Sequence, residues 1–154
     1  MNNKLFSRTL TSLFTCAMTG AMLIPAFTVN ADTKIAINEK NFPDTNFRKL
    51  IKGDIAYDYM PDVCYDIDKD GYLSSDEIKK IDSIWCHEIG IKDLTGIELF
   101  TELEELHAFS NEITKVDLSK NTKLKELYIE ENELTKLDLS KNTNLRDLTL
   151  EVFI

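Results

Sequence analysis

Leu103-x-x-Leu106-x-Ala108-x-x-Asn111-x-Ile113 returns as Leu124-x-x-Leu127-x-Ile129-x-x-Asn132-x-Leu134 and starts a third time as Leu145-x-x-Leu148-x-Leu150. Asn111 to Asn132 is 21 residues, and so is Leu124 to Leu145. The linking pieces match too: Ile113-Thr114-Lys115-Val116-Asp117-Leu118-Ser119-Lys120-Asn121-Thr122 comes back as Leu134-Thr135-Lys136-Leu137-Asp138-Leu139-Ser140-Lys141-Asn142-Thr143. Apolar spacing of three and then two is not one continuous helix face. It suits a short strand entered through a turn. One such unit cannot bury its own leucines, so neighbouring units must stack as a solenoid.

Upstream, Ile81-x-x-Ile84-x-Cys86-x-x-Ile89-x-Ile91 carries the same template without its Asn. Ile81 to Leu103 is 22 residues, and the extra one falls near Thr95-Gly96-Ile97. Residues 81–153 resemble the leucine-rich repeat family in a short bacterial-type version. The resemblance implies about four parallel strand rungs, with Asn111 and Asn132 stacked as a ladder that bonds neighbouring backbone turns. Phe153 occupies the third Asn slot, a departure from that pattern.

Before the repeats lies the motif with defined chemistry: Asp66-Ile67-Asp68-Lys69-Asp70-Gly71-Tyr72-Leu73-Ser74-Ser75-Asp76-Glu77. It matches an EF-hand loop. Asp66, Asp68 and Asp70 offer oxygens at positions 1, 3 and 5, Gly71 allows the sharp turn, and Tyr72 offers its carbonyl. Ser74 can act directly or through water, and Glu77 can chelate with both oxygens. Four carboxylates in one small loop repel each other unless a cation sits among them. An acidic surface turn that binds nothing is the plain alternative. A flexible oxygen-rich loop suits Ca2+ better than magnesium, with an extracellular affinity of order 10⁻⁴ to 10⁻³ M. Ser74 is also a good N-cap for a helix over 76–80, with Glu77 three residues on.

Between 32 and 65 the pattern is thinner. Ile35-Ala36-Ile37 reads as a short strand and Phe42-Pro43-Asp44 as a turn. Phe47, Leu50 and Ile51 read as one helix face ending near Gly53. Tyr57, Tyr59 and Met60 read as a loose turn before Pro61 and a helical approach to Tyr65. The expected fold is α+β: a small helical EF-hand-like cap over 32–80, then a short leucine-rich repeat solenoid over 81–154. The whole resembles secreted bacterial leucine-rich repeat proteins with such a cap, including the Asn41-Phe42-Pro43-Asp44 lead-in and the Gly96-Ile97-Glu98 step.

Residues 1–31 read as a signal peptide. Lys4 and Arg8 precede an uncharged run from Thr9 to Val29, and Val29-Asn30-Ala31 ends it with a cleavage-like site before Asp32. Pro25 and that ending argue against a membrane anchor. Removal leaves 16 basic residues against 27 acidic ones, a mature charge of −11. That excess disfavours nucleic acid and anionic membrane as partners. Cys64 and Cys86 remain. An exported pair invites a disulfide, but Cys86 also falls on the strand slot of Ala108, Ile129 and Leu150, where a small apolar side chain is simply core.

Alternation along the strands sends the residues between the core leucines to one concave face. Its columns are Ser83, Glu105, Glu126, Asp147; then Trp85, His107, Tyr128, Thr149; then His87, Phe109, Glu130, Glu151. Aromatics flanked by carboxylates look like a recognition surface, so Trp85, His107, Phe109, Tyr128, Glu105, Glu126 and Glu130 are the expected partner-binding residues. The alternative is that the rings pack against the cap or a neighbouring loop. A zinc site from Cys86, His87 and His107 is disfavoured, since Cys86 should point to the other face. No nucleophile stands beside a base in any order that argues for catalysis.

The leading expectation is a secreted or surface-associated module, stabilised by calcium, that binds a protein or surface glycan. A dockerin-like calcium module is a second reading, but that normally needs two such loops. The targeting end of a larger secreted enzyme is a third. The bare end at Leu150, Val152, Phe153 and Ile154 predicts that 32–154 alone is oligomeric or aggregation-prone, and that longer chains with more repeats exist.

Overall fold

A computed structural model of the chain describes residues 33–55 and 64–150. The expected signal peptide, the turn at Tyr57, Tyr59, Met60 and Pro61, and Glu151 to Ile154 lie outside the described residues. Cys64 and Tyr65 are not helical.

The cap begins with β1 (Ile35–Ala36), followed by α1 (Thr45–Ile51), β2 (Tyr72–Leu73) and α2 (Ser75–Ile78). Asp44 caps α1, its Oδ1 accepting the backbone N–H groups of Asn46 and Phe47 at 2.8 and 2.9 Å. One face of α1 buries Phe47, Leu50 and Ile51. The carbonyl of Ile51, left over at the helix end, accepts the N–H groups of Tyr65 and Asp66 at 3.1 and 3.0 Å. The acidic loop therefore starts docked on the end of α1. Its apolar residue, Leu73, is fully buried and pairs antiparallel with Ile35. The loop's strand partner is thus β1 of the same chain.

The expected helix over 76–80 is the shorter α2. Ser74 and Glu77 form a reciprocal capping box at its start, and backbone turns at Lys80 and Ile81 lead directly into the first rung.

Four three-residue strands follow: β3 (Ser83–Trp85), β4 (Glu105–His107), β5 (Glu126–Tyr128) and β6 (Asp147–Thr149). They form one parallel sheet in sequence order. Registers are Ser83–Glu105–Glu126–Asp147, Ile84–Leu106–Leu127–Leu148 and Trp85–His107–Tyr128–Thr149. The Ser83 and Trp85 columns match two of the three read from the repeat, and the Ile84 column between them is the core row.

Ile84, Leu106 and Leu127 are fully buried, whereas Leu148 is 46 % exposed. Leu148 has no following rung among the described residues to cover it. After each of the first three strands a residue other than glycine takes the left-handed backbone: Glu88, Ser110 and Glu131, with φ of 58, 53 and 53°. The repeated turn reverses the chain within one rung.

The Asn ladder is present. Asn111 Nδ2 donates to the carbonyls of Cys86 and Ala108, while its Oδ1 accepts the N–H of Ile91. One rung on, Asn132 repeats this with Ala108, Ile129 and Ile113. A second ladder, unforeseen from the sequence, runs through the linking pieces. Asn121 Nδ2 donates to the carbonyls of Ile97 and Phe100, and Asn142 Nδ2 to those of Leu118 and Asn121. All four Asn residues are buried, and each satisfies backbone carbonyls that no strand reaches.

Cap and repeats share a single hydrophobic core that runs from Ile37 to Leu134. Phe42 lies at its junction, flat against Gly96. That glycine has φ of 106°, and a Cβ there would stand 2.4 Å from the Phe42 ring. Asp44 Oδ2 also accepts the N–H of Lys92, and Asn46 Nδ2 donates to the Gly90 carbonyl.

Candidate functional site

Two places gather chemistry: the acidic loop and the concave face. In the loop, carboxylate oxygens of Asp66, Asp68 and Asp70 lie within 4.8 Å of one another. The backbone folds around Asp66, whose two oxygens accept N–H groups of Asp70 and Gly71 at 3.2 and 3.0 Å. Burial pushes the Asp66 carboxyl up, against those two hydrogen bonds and with the neighbouring charges of Glu77 and Asp70. Lys34 reaches over from the start of β1 to form an ion pair with Asp70, and that pair holds the Asp70 carboxyl below its usual range.

Glu77 stands differently from the three aspartates. Its Oε1 accepts the N–H of Ile67 at 2.8 Å, and its Oε2 accepts the N–H and hydroxyl of Ser74 at 2.8 and 2.7 Å. Burial acts to raise its pKa, but these hydrogen bonds outweigh it and lower the carboxyl. Glu77 and Ser74 therefore brace the loop across its width. The donor set is all oxygen and mostly anionic, which suits a hard divalent cation at Asp66, Asp68 and Asp70. Glu77 joins that set only by giving up part of its bracing.

On the concave face, the parallel register stacks rings in a row. Trp85 and His107 lie face to face with centroids 3.7 Å apart, and His107 and Tyr128 follow at 4.6 Å. A second stack joins His87 to Phe109 at 4.4 Å, and Trp85 meets His87 edge to face at 6.1 Å. Trp85, His107, Phe109 and Tyr128 are half-buried, so their faces are spent on one another and their edges remain available. The expectation of rings on this face holds for these four. His87, placed by the sequence in an open column, is instead buried at 4 % exposure beneath Phe109. Burial lowers the pKa of both histidines: Glu88 opposes this at His87, while at His107 Glu126 opposes it and His87 adds to it.

Glu105, Glu126 and Asp147 form the acidic column beside the rings. Tyr128 donates its hydroxyl to Glu126 at 3.5 Å, and the Oε2 of Glu130 is buried without a hydrogen-bond partner. Both described cysteines are free thiols. Cys86 is fully buried in the slot it shares with Ala108 and Ile129, and Cys64 donates to the carbonyl of Asp66 at 2.9 Å.

A coil with one short parallel strand per turn, a leucine core and stacked Asn side chains is a leucine-rich repeat fold. Comparison with known proteins agrees. Internalin J of Listeria monocytogenes serotype 4b (strain F2365) is 32 % identical over 81 residues, which is 53 % of this chain and 8 % of the relative. A solved functional domain of internalin J from Listeria monocytogenes superposes with a TM-score of 0.62 at 32 % identity, covering 79 % of this chain and 24 % of that one. Internalin F from Listeria monocytogenes gives 0.61 at 27 % identity, covering 76 % and 32 %. The chain therefore spans less than a third of each. No protein-family model matches it. The internalin J domain is described as including a cysteine ladder. The repeats of this chain carry only Cys86, so that feature is not reproduced. Among the described residues no helix is long and apolar enough to cross a membrane.

Proposed function

We propose that this chain is an exported, surface-acting binding module that recognises a protein partner through the edges of Trp85, His107, Tyr128 and Phe109. The observation that carries the reading is the row of rings at 3.7 and 4.6 Å on a rigid parallel sheet. Stacked rings are already ordered, so they lose little entropy on contact and present amphipathic edges to a partner. The acidic column of Glu105, Glu126 and Asp147 favours a partner with a basic patch and sets the speed of encounter. A surface glycan is the second reading, favoured by the same flat rings. Likeness to internalins supports a binding role, and the basic, then apolar start of the sequence supports export.

The loop at 66–77 binds calcium in this reading and keeps the cap folded beneath Trp85. Asp66, Asp68 and Asp70 hold the ion, with the Tyr72 carbonyl, Ser74 and Glu77 completing the set. Its role is structural: a cation binding only the folded loop stabilises the cap that closes the first rung.

The test is affinity capture with the chain against extracts of cell-surface proteins, followed by titration of any captured protein. Trp85→Ala and Tyr128→Ala should each weaken binding by about 1–3 kcal/mol. Lys136→Ala, on the linking piece, should leave it unchanged. Equal losses at all three positions would remove the concave face from the account.

A further inference from the structure

The parallel register sets Glu105 directly opposite Glu126, and His107 projects from the same face two residues along β4. One ligating atom from each of Glu105, His107 and Glu126 lies within 4.8 Å of the other two. Like charges placed opposite each other across two strands are unfavourable. Elsewhere the fold neutralises such neighbours, pairing Lys123 with Glu102 and Lys125 with Glu104. Among the described residues no ion pair reaches Glu105, Glu126 or Asp147. The imidazole beside them is held in plane by Trp85 and Tyr128, and its Nε2 is buried with no hydrogen-bond partner. The fold thus fixes a nitrogen donor and two carboxylates in one place and supplies no cation.

We propose that Glu105, His107 and Glu126 form a divalent transition-metal site of the zinc class on the concave face. Calcium takes oxygen ligands, whereas an imidazole with two carboxylates suits zinc and its neighbours in the first transition row. Three atoms no more than 4.8 Å apart share a centre within about 2.8 Å of each, some 0.7 Å beyond zinc–ligand lengths of about 2.0–2.2 Å. Rotation of the two Glu side chains closes that gap. Three protein ligands leave a coordination position open to water or to a side chain of a partner. The inference concerns the chain alone and stands whether or not a partner uses this face.

The experiment titrates zinc chloride into the purified chain with calcium chloride in excess, so that the loop at 66–77 does not compete. Binding is read by calorimetry and by the emission of Trp85, the only tryptophan, which stacks on His107. The expected result is one equivalent of zinc, a change in Trp85 emission, and affinity lowered more than about tenfold in both His107→Gln and Glu126→Gln. Cys64→Ser should bind as the unaltered chain does. Glu126→Gln leaves the ring stack intact and, by relieving its repulsion with Glu105, should melt no lower than the unaltered chain, so its loss of zinc is not a folding effect. No binding, binding indifferent to both variants, or binding lost in Cys64→Ser would each overturn the site.

Discussion

The phenolic oxygen of Tyr65 accepts the backbone N–H of Trp85 at 3.1 Å, across 20 residues of sequence. Tyr65 sits on the last residue before the acidic loop, and Trp85 ends the first rung. This hydrogen bond links the start of the loop to the strand that carries the outermost ring of the concave face. Burial holds the Tyr65 hydroxyl well above its ordinary pKa, against the hydrogen bond from Trp85, so it stays protonated throughout the physiological range.

Tyr65→Phe removes that acceptor from the part-buried N–H of Trp85. The expected cost is about 1–2 kcal/mol, seen as a lower melting temperature. Faster hydrogen exchange at the Trp85 amide should accompany it. Unchanged exchange there would mean that the cap does not hold the first rung.

Asn132→Ala takes one hydrogen bond from each of the Ala108, Ile129 and Glu130 carbonyls and the acceptor from the Ile113 N–H, while Ala108 keeps Asn111. A loss of roughly 2–4 kcal/mol is expected, since buried groups left unpaired cost more than a hydrogen bond contributes. Asn144→Ala, which loses only an exposed bond to the Thr122 carbonyl, should stay within about 0.5 kcal/mol. Similar costs for the two would contradict the ladder as a source of stability.

Calcium should raise the melting temperature, by an amount that at 100 times the dissociation constant corresponds to about 2.7 kcal/mol. Lys34→Met removes the internal cation beside Asp70, so the chelated protein should melt lower and the calcium response should grow. Glu77→Gln should lower stability even in chelator, because the same carboxylate braces Ile67 and Ser74. Identical melting of the unaltered chain in calcium and in chelator would sink the calcium reading.

The repeat was legible because its signal is local and periodic: strand columns, core leucines and the Asn111–Asn132 ladder all follow from spacing. The Asn121–Asn142 ladder was equally present in the sequence, as Ser-Lys-Asn-Thr recurring after 21 residues. It was missed because Asn in a polar stretch reads as solvent-exposed turn. Lys34 on Asp70 and Tyr65 on Trp85 join residues 36 and 20 apart with no periodicity to announce them. The burial of His87 depends on Phe109 folding over it, which alternation cannot reveal. The acidic loop gave its ligand spacing plainly, but not the turn of Glu77 toward the backbone.

Stability should fall as pH drops below about 6.5, the ordinary imidazole value. His87 and His107 are both lowered by burial, so in this window the unfolded chain binds protons that the folded chain refuses. Stability is then fully present above that pH and is lost on acidification. His87→Phe should flatten the slope between about pH 7 and 5.5. A chain that grows more stable across that interval would show the histidines charged in the fold.

Neighbouring residues on β5 decide which face of the sheet is core and which is contact. Leu127 is fully buried, while Tyr128 is half-buried at the edge of the ring row. The direct measurement is thermal melting and partner titration of Leu127→Ala beside Tyr128→Ala. Leu127→Ala should lose about 2–5 kcal/mol of stability. Tyr128→Ala should keep the fold to within about 1 kcal/mol and lose about 1–3 kcal/mol of binding. If Tyr128→Ala unfolds the chain while Leu127→Ala spares it, or if Tyr128→Ala binds unchanged, the concave ring row is not the contact surface.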